Sequence, residues 1–370
     1  MGLSKPLRQV GRVHVEQDGR KLLYFGGCDY HRMASHPKVL EAVRRALKSA
    51  GLNVAASRKT TGNHPIYAEL EEALAEFFQA PAALLTSNGY ATNTLAAQAL
   101  AHAAPRLLID ARAHASLKDA TLHAGTPATP FAHRDPADLR RQAETAPGSG
   151  PLFAMTDGLF AHDGAIAPLP GHLAALPKGA RLWIDDAHAA GILGPSGRGA
   201  LEHFGIPRAA HLQTITLSKA FGVYGGAILC QKAFRDDIIA RSGQFTGNTP
   251  LPPPLAAGAL ESVRLLLRDR ADYLARLRQN IRHLHTLLGH PPAPSDPLTP
   301  IYSLIPATPR QAAQLKRRLL AAHIFPPHIR YPGGPQQGYF RFAISSHHTK
   351  AQVALLAEAL MESHRQIRPA

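Results

Sequence analysis

Between about residues 80 and 235 the chain repeats one pattern: a short unbroken apolar run, then a longer stretch whose apolar positions recur at helical spacing. The runs lie at 83–86, 106–110, 152–156, 182–185, 214–217 and 226–229. A strand covered on both faces reads as a continuous apolar run, whereas a strand with one wet face alternates. Buried strands separated by helices predict parallel pairing, because a helical crossover returns the chain to the same end of the sheet. The expected fold class is α/β, centred on a large, mainly parallel sheet. Such sheets hold their ligands at the C-terminal ends of the strands. Asp110, Asp157, Asp185 and Lys219 all fall at or just past those ends.

The helices are legible by the same means. Residues 37–50 place Val39, Leu40, Val43 and Leu47 on one face and stop at Gly51. Pro65 opens a second helix with Leu70, Leu74 and Phe77 in phase. A long helix is predicted through about 256–288, carrying Val263, Leu267, Leu274, Leu277, Ile281 and Leu284 and ended by Gly289. Pro291-Pro292-Ala293-Pro294 reads as a linker. Beyond it, strand patterns at 301–305 and 339–344 alternate with helical ones at 310–322 and 350–362. The expected domains are therefore 1–40 as an N-terminal segment packing with the small domain, 41–289 as the large domain, and 290–370 as a smaller C-terminal α/β domain.

Charge and cysteine content narrow the function classes. The formal net charge is +15, but the arginines are scattered and form no basic tail or zinc-finger spacing. Neither a nucleic-acid partner nor a metal site is expected. The positive balance suits an anionic substrate such as coenzyme A, or an acidic carrier protein. No run of about 18 apolar residues occurs, so no membrane span is expected. Cys28 and Cys230, far apart, make no disulfide framework. With no apolar leader after Met1, a reducing cytoplasmic location is the expectation.

Chemistry concentrates in two segments. Lys219 lies in Thr216-Leu217-Ser218-Lys219-Ala220-Phe221-Gly222, directly after an apolar run. Some thirty residues earlier stands Trp183-Ile184-Asp185-Asp186-Ala187-His188. A strand-end acid, a nearby histidine and a later Ser-Lys are the parts that hold pyridoxal 5'-phosphate (PLP). The lysine amine links to the aldehyde, and the acid keeps the pyridine nitrogen protonated so that the ring withdraws electrons. Asn88-Gly89-Tyr90 follows one strand and opens a helix, where backbone N–H groups suit a phosphate dianion. Thr216 and Ser218 offer hydroxyls beside it.

These residues belong to longer matches. Asp110-Ala111-Arg112-Ala113-His114-Ala115-Ser116-Leu117, Asp163-Gly164, Asp185-Asp186-Ala187-His188, Gly197-Arg198-Gly199 and Ser218-Lys219-Ala220-Phe221-Gly222 resemble the motifs of the α-oxoamine synthases of PLP fold type I. The similarity runs from about Tyr24 to Leu360. It implies the PLP-dependent transferase fold type I, a homodimer, and an acyltransferase reaction: decarboxylative condensation of a small amino acid with an acyl thioester. The nearest branch uses L-alanine and a pimeloyl group on coenzyme A or a carrier protein. Sister synthases take glycine, serine or another acyl chain, and a non-catalytic subunit or regulator is the reading from a different class.

By the same resemblance Lys219 carries the cofactor and moves protons at the amino-acid Cα, and Asp185 pairs with the pyridine nitrogen. His188 would hydrogen-bond the ring's phenolic oxygen, and His114 would stack on the ring. Thr249 matches a segment that reaches the phosphate across a dimer interface. Arg330 matches an arginine that grips the amino-acid carboxylate, a task suited to a guanidinium, and Arg341 is a second match. The chain departs from the family pattern at Cys28 (Asn), Tyr67 (His), Asp157 (Glu), Ala161 (Ser) and Gly333 (Thr). These positions bear on the acyl side more than on the cofactor side.

Overall fold

Seven strands form the central sheet of the larger unit, in the order Ala82–Thr86, Gly226–Cys230, Leu212–Thr216, Arg181–Asp185, Leu152–Asp157, Arg106–Asp110 and Ala128–Phe131. The computed structural model describes residues 4–330, 335–364 and 368–369. Six of the seven are fully or almost wholly buried, as their apolar runs require, and Trp183, Met155 and Ile228 lie in the core they enclose. Ala128–Phe131, half exposed at the sheet edge, has no clear sequence signal. It carries Pro130, which an edge strand tolerates.

The sheet is parallel except at one place. Gly226–Cys230 runs antiparallel to both of its neighbours, which corrects the parallel pairing expected of it. The segment 217–225 is too short for a helical crossover. The chain instead turns back on itself, and Leu217 N–H donates to Gly225 O at 2.9 Å.

The expected long helix is two. Pro253–Arg268 ends at Asp269, and Arg270–Leu287 begins directly after it. Asp269 has left helical geometry (φ −109°, ψ 21°), and its carboxylate pairs with Arg268. The apolar stripe resumes in phase beyond the break, so periodicity alone joins the two.

The chain divides into two units. One comprises Pro37–Phe160 and Ile166–Arg270; the other comprises Met1–His36, Ala161–Ala165 and Ala271–Ala370. In the smaller unit a four-stranded sheet runs His328–Ile329, Tyr339–Ala343, Ile301–Ile305 and Arg368–Pro369. A three-stranded antiparallel sheet, Arg8–Val10, His14–Gln17 and Arg20–Leu23, precedes it in the chain. Backbone bonds Leu23 N to His323 O (2.7 Å) and Ala343 N to Phe25 O (2.6 Å) tie the N-terminal segment into this unit. Asn280 donates to the carbonyls of Ser345 and His348. Those bonds account for Arg270–Leu287 clustering with the smaller unit from Ala271 on, whereas the sequence reading set it in the large domain. Among the described residues no helix is long and apolar enough to cross a membrane.

Candidate active site

The parallel strands of the larger unit end with acids side by side. Asp157 and Asp185 are register partners on adjacent strands, and Asp185 is paired in turn with Thr214. Asp185 is buried, yet well supplied with donors. Its Oδ2 accepts from Asn93 Nδ2 at 2.8 Å and Ser116 Oγ at 3.3 Å, and its Oδ1 from Ala187 N–H at 3.0 Å. Buried carboxylates persist where such donors meet them.

His114 caps the helix Ala115–Thr121. Its Nδ1 accepts from Ser116 N–H at 3.2 Å and lies 2.9 Å from Ser116 Oγ. A nitrogen that accepts from a backbone N–H carries no proton, so the neutral ring holds its proton on Nε2. Burial keeps the imidazole below its ordinary pKa; the Asp185 charge opposes that shift and the Lys219 charge adds to it. The main-chain N–H of His114 donates to Asp157 Oδ1 at 3.0 Å. Burial, reinforced by repulsion from Asp185, pushes the Asp157 carboxyl well above the usual carboxylate range, while the His114 bond and the Lys219 charge act against it. Lys219, half-buried just past Leu212–Thr216, thus lies in the field of both groups. The site holds one buried acid favoured neutral, one acid fixed by three donors, a neutral imidazole and an amine.

The helix Gly89–Leu100 begins against the same end of the sheet. Asn88 caps it by accepting from Ala91 N–H at 2.9 Å. A Cβ on Gly89 would stand 2.6 Å from Thr216 Cβ and 2.8 Å from its Oγ1, so only glycine lets the helix start this close to the strand. Thr216 Oγ1 donates to Gly225 O and accepts from Ser218 N–H, both at 3.2 Å, and so shapes the turn that carries Lys219. Tyr90 presents its ring edge to His114 at 6.1 Å between centroids and bonds Asp119 through its hydroxyl. A helix N-terminus, an amine and a donor-fixed acid match the phosphate, aldehyde and pyridine nitrogen of PLP respectively. The residues present fit that group.

The second acid of the Asp-Asp pair does different work. Asp186 Oδ2 accepts from Ala200 N–H at 2.9 Å and from the Gln213 side-chain amide, which pins the glycine-rich segment 194–199. Its burial pushes the carboxyl up to about 7. His188 is buried two residues on, within a turn closed by Ala189 and Ala190, whose N–H groups both donate to Asp186 O. Thr249 is exposed, shortly after the helix Gly243–Gly247.

In the smaller unit, Arg330 is exposed directly after His328–Ile329. Gly333 lies outside the described residues. Arg341 is half-buried on Tyr339–Ala343 and donates to Ala161 O at 3.2 Å and to Cys28 Sγ at 3.7 Å. Two of the departures from the family pattern therefore meet at one arginine. Among the described residues no cluster of three or more His, Cys, Asp or Glu could hold a metal ion.

Sequence reasoning assigned no role to Asn93, Ser116, Trp183 or Thr214, which form the polar network behind Asp185. The available signals were a lone Asn on the apolar face of a helix and a tryptophan two residues before the strand-end acid.

Comparison with known proteins matches residues 20–360 to the family model for class I and II aminotransferases. The chain is 38% identical over 358 residues to an 8-amino-7-oxononanoate synthase of Pseudomonas aeruginosa (strain LESB58), covering 95% of this chain and 88% of that one. It is 35% identical over 377 residues to the enzyme of the same name from Thioalkalivibrio sulfidiphilus, covering 98% and 94%. Among solved structures, a PLP-bound serine palmitoyltransferase from S. paucimobilis superposes with a TM-score of 0.88 at 25% identity, over 97% of this chain and 91% of that chain. An 8-amino-7-oxononanoate synthase from Francisella tularensis gives 0.75 at 25% identity, over 93% and 98%.

Proposed function

Because the chain belongs to the α-oxoamine synthases, within the class I and II aminotransferase family, we propose that this PLP-dependent acyltransferase joins L-alanine to a pimeloyl thioester. In the net reaction a C–C bond forms between the acyl carbon and the alanine Cα. The thioester C–S bond and the bond from Cα to the carboxylate break, giving 8-amino-7-oxononanoate, free thiol and CO2. PLP, when bound, supplies the electron sink for charge left at the amino-acid α-carbon.

The chain's own residues would divide the remaining work. The Lys219 amine is the covalent anchor and, once released, the group that takes and returns the proton at the alanine Cα. Asp185, held by Asn93, Ser116 and Ala187, keeps a proton on the pyridine nitrogen. His188 donates to the phenolic oxygen. His114, neutral with its proton on Nε2, provides a flat face and one donor. The Asn88–Gly89–Tyr90 helix start and Ser218 hold the phosphate, with Thr216 shaping the turn between them. In a homodimer the exposed Thr249 of the second subunit would complete that phosphate site. Arg330 grips the alanine carboxylate, Arg341 supports the substrate side, and the net positive charge draws in a thioester on coenzyme A or an acidic carrier protein.

The observation that carries this reading is the shared field of Lys219, Asp157, Asp185 and His114 at the strand ends. The higher TM-score to serine palmitoyltransferase favours a second reading, a sister synthase using serine or glycine. Sequence identity, 38% against 25%, weighs toward alanine. Thiol and CO2 release from a panel of acyl thioesters, each with alanine, glycine and serine, tests both. Equal release of both products with alanine and pimeloyl thioester is expected. Steady pyruvate formation from alanine and a 2-oxo acid without any thioester would overturn the synthase reading.

A further inference from the structure

Asn93 is fully buried on the helix Gly89–Leu100, and both ends of its amide are engaged twice. Its Oδ1 accepts from Trp183 Nε1–H at 3.1 Å and from Thr214 Oγ1–H at 2.8 Å. Its Nδ2 donates to Asp185 Oδ2 at 2.8 Å and to Ser116 Oγ at 3.0 Å. An indole N–H only donates, so the amide atom facing it must be oxygen. That contact decides which way the amide points and leaves the NH2 facing Asp185.

The sheet explains why these groups meet. Trp183 and Asp185 are two apart on one strand and therefore share a face. Thr214 is the register partner of Asp185 on the next strand. One helix residue thus touches three strand residues, all of them buried. Ser116 extends the contact to His114 Nδ1 at 2.9 Å.

We propose that Trp183 and Thr214 are positioning residues that act through Asn93 to orient the Asp185 carboxylate for the cofactor's pyridine nitrogen. Without the two donors on its oxygen, the amide is held only through Nδ2, by its bonds to Asp185 and Ser116. Its plane can then tilt, and the bond that directs the Asp185 carboxylate loses its fixed geometry. The inference rests on the role given to Asp185 above.

Trp183→Phe keeps the ring bulk and removes the N–H; Thr214→Val keeps the shape and removes the hydroxyl. Each, and the pair together, is compared in the full chain with the unaltered protein and with Asp185→Asn. Three quantities are read: PLP affinity from cofactor absorbance, the pH midpoint at which the visible band of the lysine-bound cofactor changes, and the melting temperature of the PLP-free protein. The double variant is expected to bind PLP roughly tenfold more weakly, the scale of one net hydrogen bond to a charged group. Its pH midpoint should move in the same direction as that of Asp185→Asn. A fall in melting temperature with unchanged affinity and midpoint shows a packing role only and overturns the proposal. If Trp183→Phe does not fold, Thr214→Val alone must move the midpoint, or the proposal fails. If Asp185→Asn moves neither affinity nor midpoint, the reading of Asp185 itself is wrong. If Asp185→Asn moves both while the Trp183 and Thr214 variants move neither, only this inference falls.

Discussion

Gly89→Ala isolates the close approach of helix and strand that builds the candidate phosphate site. The new methyl would lie 2.6 Å from Thr216 Cβ, 2.8 Å from its Oγ1 and 3.3 Å from its Cα. All three belong to a residue buried in a central strand, so no flexible side-chain tip is available to yield. The helix start must move away by several tenths of an ångström at least. Overpacking of this kind costs about 1–3 kcal/mol. Alanine returns at most about 1 kcal/mol in helix propensity. Set against that full return, the net loss is up to about 2 kcal/mol, or as much as roughly 8 °C in melting temperature for a unit of this size. PLP affinity should also fall, because the N–H groups of the first turn move with the helix. Gly243→Ala is the control. It too opens a helix, Gly243–Gly247, but its added methyl would meet nothing within 4 Å. Thermal melts of the PLP-free proteins and PLP titrations compare the two. If Gly89→Ala matched Gly243→Ala in both measurements, the close-approach argument would be refuted.

Other expectations follow from single residues. Lys219→Ala should abolish borohydride trapping of PLP and nearly all turnover, and peptide mapping that finds the label on a different lysine contradicts the assignment. Arg330→Ala should weaken alanine binding by about 1.5–3 kcal/mol, the range for a lost hydrogen bond to a charged group, while leaving PLP affinity in place; unchanged alanine binding counts against the assigned role. For Asp186, folding raises the carboxyl from its ordinary value of 3.8 to about 7. Between those values the folded chain holds a proton that the unfolded chain has released. Stability therefore falls as pH rises from about 4 to about 7 and levels off above that. Asp186→Asn should remove this component, seen as the difference between the two melting-temperature profiles against pH; parallel profiles would count against it.

Strand positions were legible because a fully buried strand must be apolar on both faces, and 182–184 and 152–155 meet that rule without interruption. Strand direction was not, since an apolar run reads alike either way. The shortness of 217–225 was the available clue for Gly226–Cys230. The strands Arg8–Val10, His14–Gln17 and Arg20–Leu23 are rich in charge and partly exposed, so they carry no comparable pattern. Asp185, His114 and Lys219 stood out because their chemistry is unusual at strand ends. Asn93 did not, because its meaning lies in partners 90 and 121 residues away, Trp183 and Thr214. The contrast between Asp157 and Asp185 is likewise invisible in sequence. Both are buried strand-end acids, and their donors separate them: three on Asp185, against the His114 N–H on Asp157.

The reversal at 217–225 sets a limit on how this scaffold can vary. Elsewhere in the sheet, a loop after a strand leads toward a helix on the outside, and a helix can slide or lengthen to absorb an insertion. The loop that carries Lys219 has no such slack. It is clamped between two adjacent, buried strands whose ladder is in register from Gly226–Thr216 to Leu229–Gln213. An added residue here has no outer element to push aside and must either bulge at the lysine or slip the centre of the sheet. New substrate preferences are therefore more easily reached by changing other loops, while the length of this one stays fixed.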